Sequence, residues 1–159
     1  MHEEGATGLA ELYQDVGPGL LAYLRRRLGD RHVAEDVLQE TFCQAARRLE
    51  RLAEAASPRA WLFTIARNLA ATMRRRRGPA VELTVEPPAV EPTADARLDA
   101  LRAAIAELPE AMRETLELRL RDELSYEEIA AVLGLPIGTV RSRLHHAVQR
   151  LRTTMQTEE

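Results

Sequence analysis

Lysine is absent from this chain: all 22 basic residues are Arg, set against 25 Asp and Glu. Arg grips phosphate with a planar fork where Lys offers a point charge. Yet Lys is missing from every segment, as the codon usage of a GC-rich genome would give, so its absence is no argument for nucleic acid. Aromatics are scarce at 4%, and period-two alternation is rare, while Ala, Leu, Arg and Glu dominate. These features predict an all-α protein with an aliphatic core. The lone Cys43 excludes an internal disulfide framework and a Cys-rich zinc site. Of the four His, only His145 and His146 adjoin, and on a helix they point about 100° apart, which makes no two-ligand metal site. No metal or cofactor is expected. No carboxylate cluster and no nucleophile beside a base is visible, so no enzyme is expected. No apolar run reaches membrane-spanning length, and Met1–Thr7 is acidic without an apolar stretch. The expectation is a cytoplasmic chain with no membrane insertion.

A net charge of −3 looks wrong for a nucleic-acid binder until it is divided along the chain. Residues 57–78 hold six Arg and no acid, and residues 129–157 hold four Arg and no acid. Residues 79–99 hold five acids and one Arg, and residues 100–128 hold eight acids and four Arg. Two basic blocks sit in an acidic protein, and local sign governs phosphate binding more than the total does.

Read in order, Leu9 to Leu28 predicts a helix with Leu9, Leu12, Tyr13, Val16, Leu20, Leu21, Leu24 and Leu28 inward and a break or kink at Gly17-Pro18. Its Arg25-Arg26-Arg27 end reads as an ordinary basic last turn. A second helix is expected from about His32 to Leu52, with Val33, Val37, Leu38, Phe42, Ala45, Ala46 and Leu49 inward. Glu35, Asp36, Gln39 and Glu40 make an acidic patch on it, either a solvated face or a dock for a basic partner. After a loop at Ala53–Ala56, Ser57-Pro58 starts a third helix as cap and first residue. Leu62, Ile65, Ala66, Leu69 and Met73 should face the core. Trp61, Thr64, Asn68 and Arg75 share another side, adjoined by Arg67 and Arg74. An aromatic, a hydroxyl, an amide and Arg groups without an acid can track a backbone and stack on exposed bases, although Trp61 could equally be partial core.

Gly78–Ala96 carries four Pro and is acidic, which predicts a flexible linker and a domain boundary. Beyond it a helix is expected from Leu98 to about Leu108 and another from near Glu110, with Met112, Leu116, Leu118 and Leu120 packing a small domain. The stretch Ser125–Arg152 then reads as two helices and a tight turn. Ser125 and Glu128 fit a capping box, Gly134 ends the first helix, and Pro136 suits the first turn of the second. Val140, Leu144, Ala147, Val148, Leu151 and Met155 form a buried stripe. Thr139, Ser142, His145, His146 and Gln149 lie opposite, flanked by Arg141 and Arg143. This is the form of a DNA-reading helix-turn-helix, or else of a plain helical hairpin with a solvated basic face.

The runs Arg25–Phe42, Ser57–Ala70, Leu108–Glu110, Leu124–Ala130 and Gly138–Leu144, in this order and spacing, resemble the extracytoplasmic-function (ECF) sigma factors of bacterial RNA polymerase. The resemblance implies an all-α fold of two small helical domains joined by the flexible Pro-rich acidic linker. Residues 8–78 would form the region 2 domain, 79–96 the linker, and 97–155 the region 4 helix-turn-helix, of the winged-helix-like DNA-binding class. It implies core polymerase as partner, through its β′ clamp and β flap, promoter DNA, and room for an anti-sigma factor. Glu35, Asp36, Gln39, Glu40 and Phe42 would meet the β′ clamp. Asn68 would sit beside a flipped-out base of the −10 element, with Trp61, Thr64, Arg67, Arg74 and Arg75 as neighbours. Thr139, Arg141, Ser142, Arg143, His145, His146 and Gln149 would serve the −35 element. Many members carry Arg where this chain has His146, which implies weaker phosphate contact here. A conventional repressor using only the helix-turn-helix is the alternative, but it would not need the Trp61–Arg77 helix.

Overall fold

Helix α1 runs His2–Leu28 without interruption, through Gly17 and Pro18. The computed structural model describes residues 2–77 and 94–157, with side chains from Gly8 onward. The expected break at Pro18 is therefore corrected. Proline removes one backbone donor, but Pro18 is exposed and the turns beyond it bury Leu20, Tyr23 and Leu24. That burial holds the helix through the gap. Tyr13, expected inward, is 47% exposed, and Tyr23 takes a core place that the leucine pattern did not single out.

The second predicted helix is two. Helix α2 spans Arg31–Arg47 and α3 spans Leu49–Glu54. Between them Arg48 leaves helical geometry, at φ −131° and ψ 41°, its N–H turning to the Ala45 carbonyl. The Asp30 carboxylate caps α2, accepting from the backbone N–H groups of His32 and Val33, and so satisfies donors that a helix start leaves bare. Ala46 is exposed rather than buried. Helix α4 spans Pro58–Arg77. The Ser57 Oγ accepts from Ala60 N at 3.1 Å, as a cap should.

Helices α1, α2 and α4 pack pairwise into the core of the N-terminal unit. Leu20, Leu24, Leu38, Leu62 and Phe63 fill it, and Ala34, Ala45, Ala60, Ala66 and Ala70 let the helix axes approach. Of the inward residues expected on α4, Leu69 and Met73 are only half-buried, and Phe63 is the residue the helical pattern missed. Tyr23 and Phe63 meet edge to face with centroids 5.3 Å apart, tying α1 to α4. Thr41 is fully buried, and its hydroxyl donates to the Val37 carbonyl at 2.7 Å, so this polar group is not stranded.

The chain folds as two compact units, residues 1–89 and 90–159. The linker expectation at 78–96 falls almost wholly outside the described residues. Its last two positions are already structural: Asp95 caps α5, which spans Ala96–Ala106. Helix α6 covers Glu110–Leu120, α7 covers Tyr126–Leu133, and α8 covers Ile137–Thr157. Helices α5, α6 and α7 all pack on α8. Leu108, Leu116, Leu118, Leu124, Ile129, Val132, Val140 and Leu144 make this second core. Leu120 is a correction: it is 62% exposed, since two residues along a helix turn it to the side opposite the fully buried Leu118. Among the described residues there is no strand.

Candidate nucleic-acid interface

The corner before α7 sets the reading helix. Leu124 is fully buried, and its N–H donates to the Leu118 carbonyl at 3.1 Å. Arg119 donates to the Leu124 carbonyl at 3.0 Å and lays its guanidinium over the Tyr126 ring, 5.2 Å from the centroid. Helix α7 then opens on a complete capping box. Ser125 Oγ accepts from Glu128 N at 3.1 Å, and Glu128 Oε1 accepts from Ser125 N at 3.0 Å. Gly134 closes α7 in the left-handed region, φ 65° and ψ 38°. Pro136 stands one residue before α8 rather than inside it. Its carbonyl accepts from Thr139 N and Val140 N, and its missing donor costs nothing because a helix start has no intrahelical acceptor for it.

Helix α8 buries Val140, Leu144 and Ala147. Leu151 and Met155 are half-buried, and Val148 is 38% exposed, on the shoulder of the stripe rather than within it. The opposite face presents Arg141, Ser142, His145, His146 and Gln149 to solvent, with Thr139 and Arg143 half-exposed beside them. The His145 and His146 rings are tilted, with centroids 5.8 Å apart. A helix of this length carrying cations and no acid along one outward face can enter a major groove.

On α4 the acid-free side contains Trp61 and Thr64, both half-buried, and the exposed Asn68 and Arg75. The Thr64 hydroxyl donates to the Ala60 carbonyl at 2.9 Å and keeps its acceptor lone pairs outward. Thr72, passed over in the sequence, joins this row. It donates to the Asn68 carbonyl at 3.1 Å and accepts from Arg75 at 3.3 Å. Its place four residues after Asn68 and three before Arg75 was the available signal. Arg67 and Arg74 are half-buried at the edge of the row.

On α2, Asp36, Gln39 and Glu40 are exposed and Glu35 is half-exposed. Two of these carboxylates are held on the surface by arginines: Arg31 to Glu35 at 2.9 Å and Arg47 to Glu40 at 3.7 Å. Gln44 also reaches Glu40 at 3.5 Å. Phe42 is only 8% exposed, with its ring edge to face with Tyr13 at 4.9 Å. Among the described residues no group of three or more His, Cys, Asp or Glu could hold a metal ion, and no helix is long and apolar enough to cross a membrane.

Residues 12–79 match the family described as Sigma-70 region 2, and residues 98–151 match Sigma-70, region 4. The ECF RNA polymerase sigma factor SigL of Mycobacterium tuberculosis is 36% identical over 160 residues, covering 95% of this chain and 90% of its own. SigE of Mycolicibacterium smegmatis, another ECF RNA polymerase sigma factor, is 40% identical over 144 residues. That alignment covers 83% of this chain and 54% of SigE, so the chain spans about half the length of that relative. Among solved structures, the sigma factor RpoE in complex with the anti-sigma factor NepR from Bartonella quintana aligns with a TM-score of 0.72. It is 29% identical, over 94% of this chain and 98% of that one. An all-helical chain with a helix-turn-helix, matched along nearly its whole length in this way, belongs to the extracytoplasmic-function sigma factors, which direct bacterial RNA polymerase to promoters.

Proposed function

We propose that this sigma factor divides promoter reading between two faces and polymerase docking to a third. Residues 8–78 form the unit that binds core polymerase and melts the −10 element, 79–96 the linker, and 97–155 the −35 reader. The observation that carries the assignment is the acid-free row Trp61, Thr64, Asn68, Thr72 and Arg75 on one side of α4. Trp61 is half-buried, so its ring is fixed in place while part of its face stays open for a base to stack on. Asn68 offers both donor and acceptor to the edge of an unstacked base. Arg67, Arg74 and Arg75 supply phosphate contacts. A duplex base hides those edges, so this row acts on DNA that has opened.

The exposed side of α8 reads duplex instead. Arg141, Ser142, His145, His146 and Gln149 face outward from a helix fixed by the capping box and the Arg119 corner. Glu35, Asp36, Gln39 and Glu40 dock a basic surface of the polymerase β′ clamp, and the C-terminal unit meets the β flap. The chain acts in the cytoplasm as a binding subunit and performs no covalent chemistry itself. Because RpoE of Bartonella quintana is seen with an anti-sigma factor, a protein of that class is a reasonable regulator for this chain.

The test is transcription in vitro with core polymerase on genomic templates, mapping start sites. Wild-type chain should give discrete starts, and Asn68→Ala should abolish them while leaving core binding intact. A chain that does not co-elute with core polymerase would refute the reading.

A further inference from the structure

Helix α8 carries two kinds of basic residue. One is arginine, which keeps its charge throughout the working range of a cell. The other is histidine, the side chain whose charge ordinarily changes between about pH 5 and 8, at positions 145 and 146. Both histidines are exposed, and their tilted rings stand 5.8 Å apart, centroid to centroid. Adjoining residues on a helix point about 100° apart, so the two rings spread across the outward face rather than converge on one atom. Arg141 lies one turn before His145, and Arg150 one turn after His146.

Nothing in the chain claims a positive charge at these rings. Residues 129–157 hold no acid. Helices α5, α6 and α7 pack on α8, against its buried stripe Val140, Leu144 and Ala147. Their acids are Asp99 on α5, Glu110, Glu114 and Glu117 on α6, and Glu127 and Glu128 on α7. Their cations are Arg97 and Arg102 on α5 and Arg113 and Arg119 on α6. Among the described residues neither imidazole makes an ion pair or a hydrogen bond with any of them. The anion that such a face meets is therefore the DNA backbone. Phosphates favour the protonated form of an imidazole beside them. A ligand that favours the protonated form is in turn bound more tightly by it, since coupling between two binding equilibria is reciprocal.

We propose that His145 and His146 make the duplex grip of α8 proton-linked. Each ring takes up a proton as it meets a phosphate, so binding strengthens as pH falls through the histidine range. Toward higher pH the helix holds DNA by its arginines and hydrogen-bonding groups alone. The chain would thus grade its hold on duplex DNA by the pH around it. The inference rests on the reading of α8 as the duplex-facing helix, and it is tested without a promoter.

The probe is a random-sequence duplex of about 30 base pairs, with a label whose emission does not change with pH. Binding of the full-length chain is followed by fluorescence anisotropy from about 50 to 200 mM salt, at about pH 5.5 and about pH 7.5. Each histidine protonated on a phosphate should steepen the salt slope by about 0.9 and raise affinity about fivefold at about 0.15 M salt. The wild-type slope should accordingly be steeper at the lower pH by about 0.9 to 1.8. His145→Gln with His146→Gln keeps polar side chains at both places and removes the titrating groups, and circular dichroism checks that the helices remain. Whatever pH dependence this variant retains measures the rest of the chain, including His2 and His32 of the N-terminal unit. It should fall well short of the wild type's. A wild-type slope that is equal at the two pH values, or a Gln variant with the full wild-type pH dependence, overturns the proposal. Arg141→Gln with Arg143→Gln tells that failure from a failure of the underlying reading. If this variant binds duplex as tightly as wild type, α8 is not the duplex face and both ideas fall. If it binds more weakly while the wild type ignores pH, only the proton linkage falls.

Discussion

His146→Arg should tighten binding to a −35 duplex and make it more salt-sensitive. His146 is exposed on the side of α8 away from Val140, Leu144 and Ala147, so the larger side chain meets no core atom. Surface changes of this kind shift stability by about 0.5 kcal/mol or less. Arg143 and Arg150 stand three and four residues away, so the new cation costs the free helix about 0.2–0.5 kcal/mol per like-charged pair. DNA relieves that repulsion, which adds to the gain on binding. One further phosphate contact steepens the salt slope by about 0.9, and at 0.15 M salt it raises affinity about fivefold. The assay is anisotropy with a −35 duplex taken from a mapped start site, at a pH where His is neutral, across 50 to 300 mM salt. Equal affinity and slope for variant and wild type would refute the reasoning. So would tighter binding with no change in slope, since the gain would then come from a base contact and not from charge.

Gly134→Ala should lower the melting temperature of the C-terminal unit without a clash. No atom lies within 4 Å of the added Cβ, but φ is +65°, so the cost is about 1 kcal/mol of backbone strain, or about 4–8 °C for a unit of this size. Leu120→Ser should change thermal stability by about 0.5 kcal/mol or less, because the side chain is already 62% exposed; a calorimetric loss comparable to a core deletion would show that the residue is covered. Leu144→Ala, by contrast, should cost about 2–5 kcal/mol in a denaturant titration, since its side chain is buried at 7% exposure. Asp36→Arg should weaken co-elution with core polymerase while leaving duplex binding by the isolated chain unchanged.

The helices of both units were legible because apolar residues recur at helical spacing and because Ser57, Ser125 and Gly134 announce ends. What escaped was set by contacts between helices. Periodicity placed Tyr13 and Leu120 inside, yet Tyr13 covers Phe42 from the surface and Leu120 is exposed beside the buried Leu118. Phe63 and Tyr23 sit beside the expected stripes and are buried because they meet each other across α1 and α4. Pro18 signalled a break that the packing of Leu20 and Leu24 overrides. Nothing in the sequence marked Arg48, where apolar periodicity runs on across a real interruption. The outward faces of α4 and α8 were readable from charge and polarity alone.

The ion pairs on α2 carry a consequence for how a partner could dock there. Arg31 and Arg47 already hold Glu35 and Glu40, while Asp36 and Gln39 stand exposed between them. A basic surface arriving at this patch would not neutralise bare carboxylates. It would have to trade places with resident arginines, one guanidinium leaving as another arrives. Such an exchange is nearly balanced in energy, since exposed pairs of this kind contribute about 0–1 kcal/mol each. Its net yield therefore depends on geometry: a partner that offers its cations at the spacing of Glu35 and Glu40 gains both contacts, and one that does not is turned away by the arginines it fails to displace. The latched patch would thus discriminate among basic partners more than it attracts them.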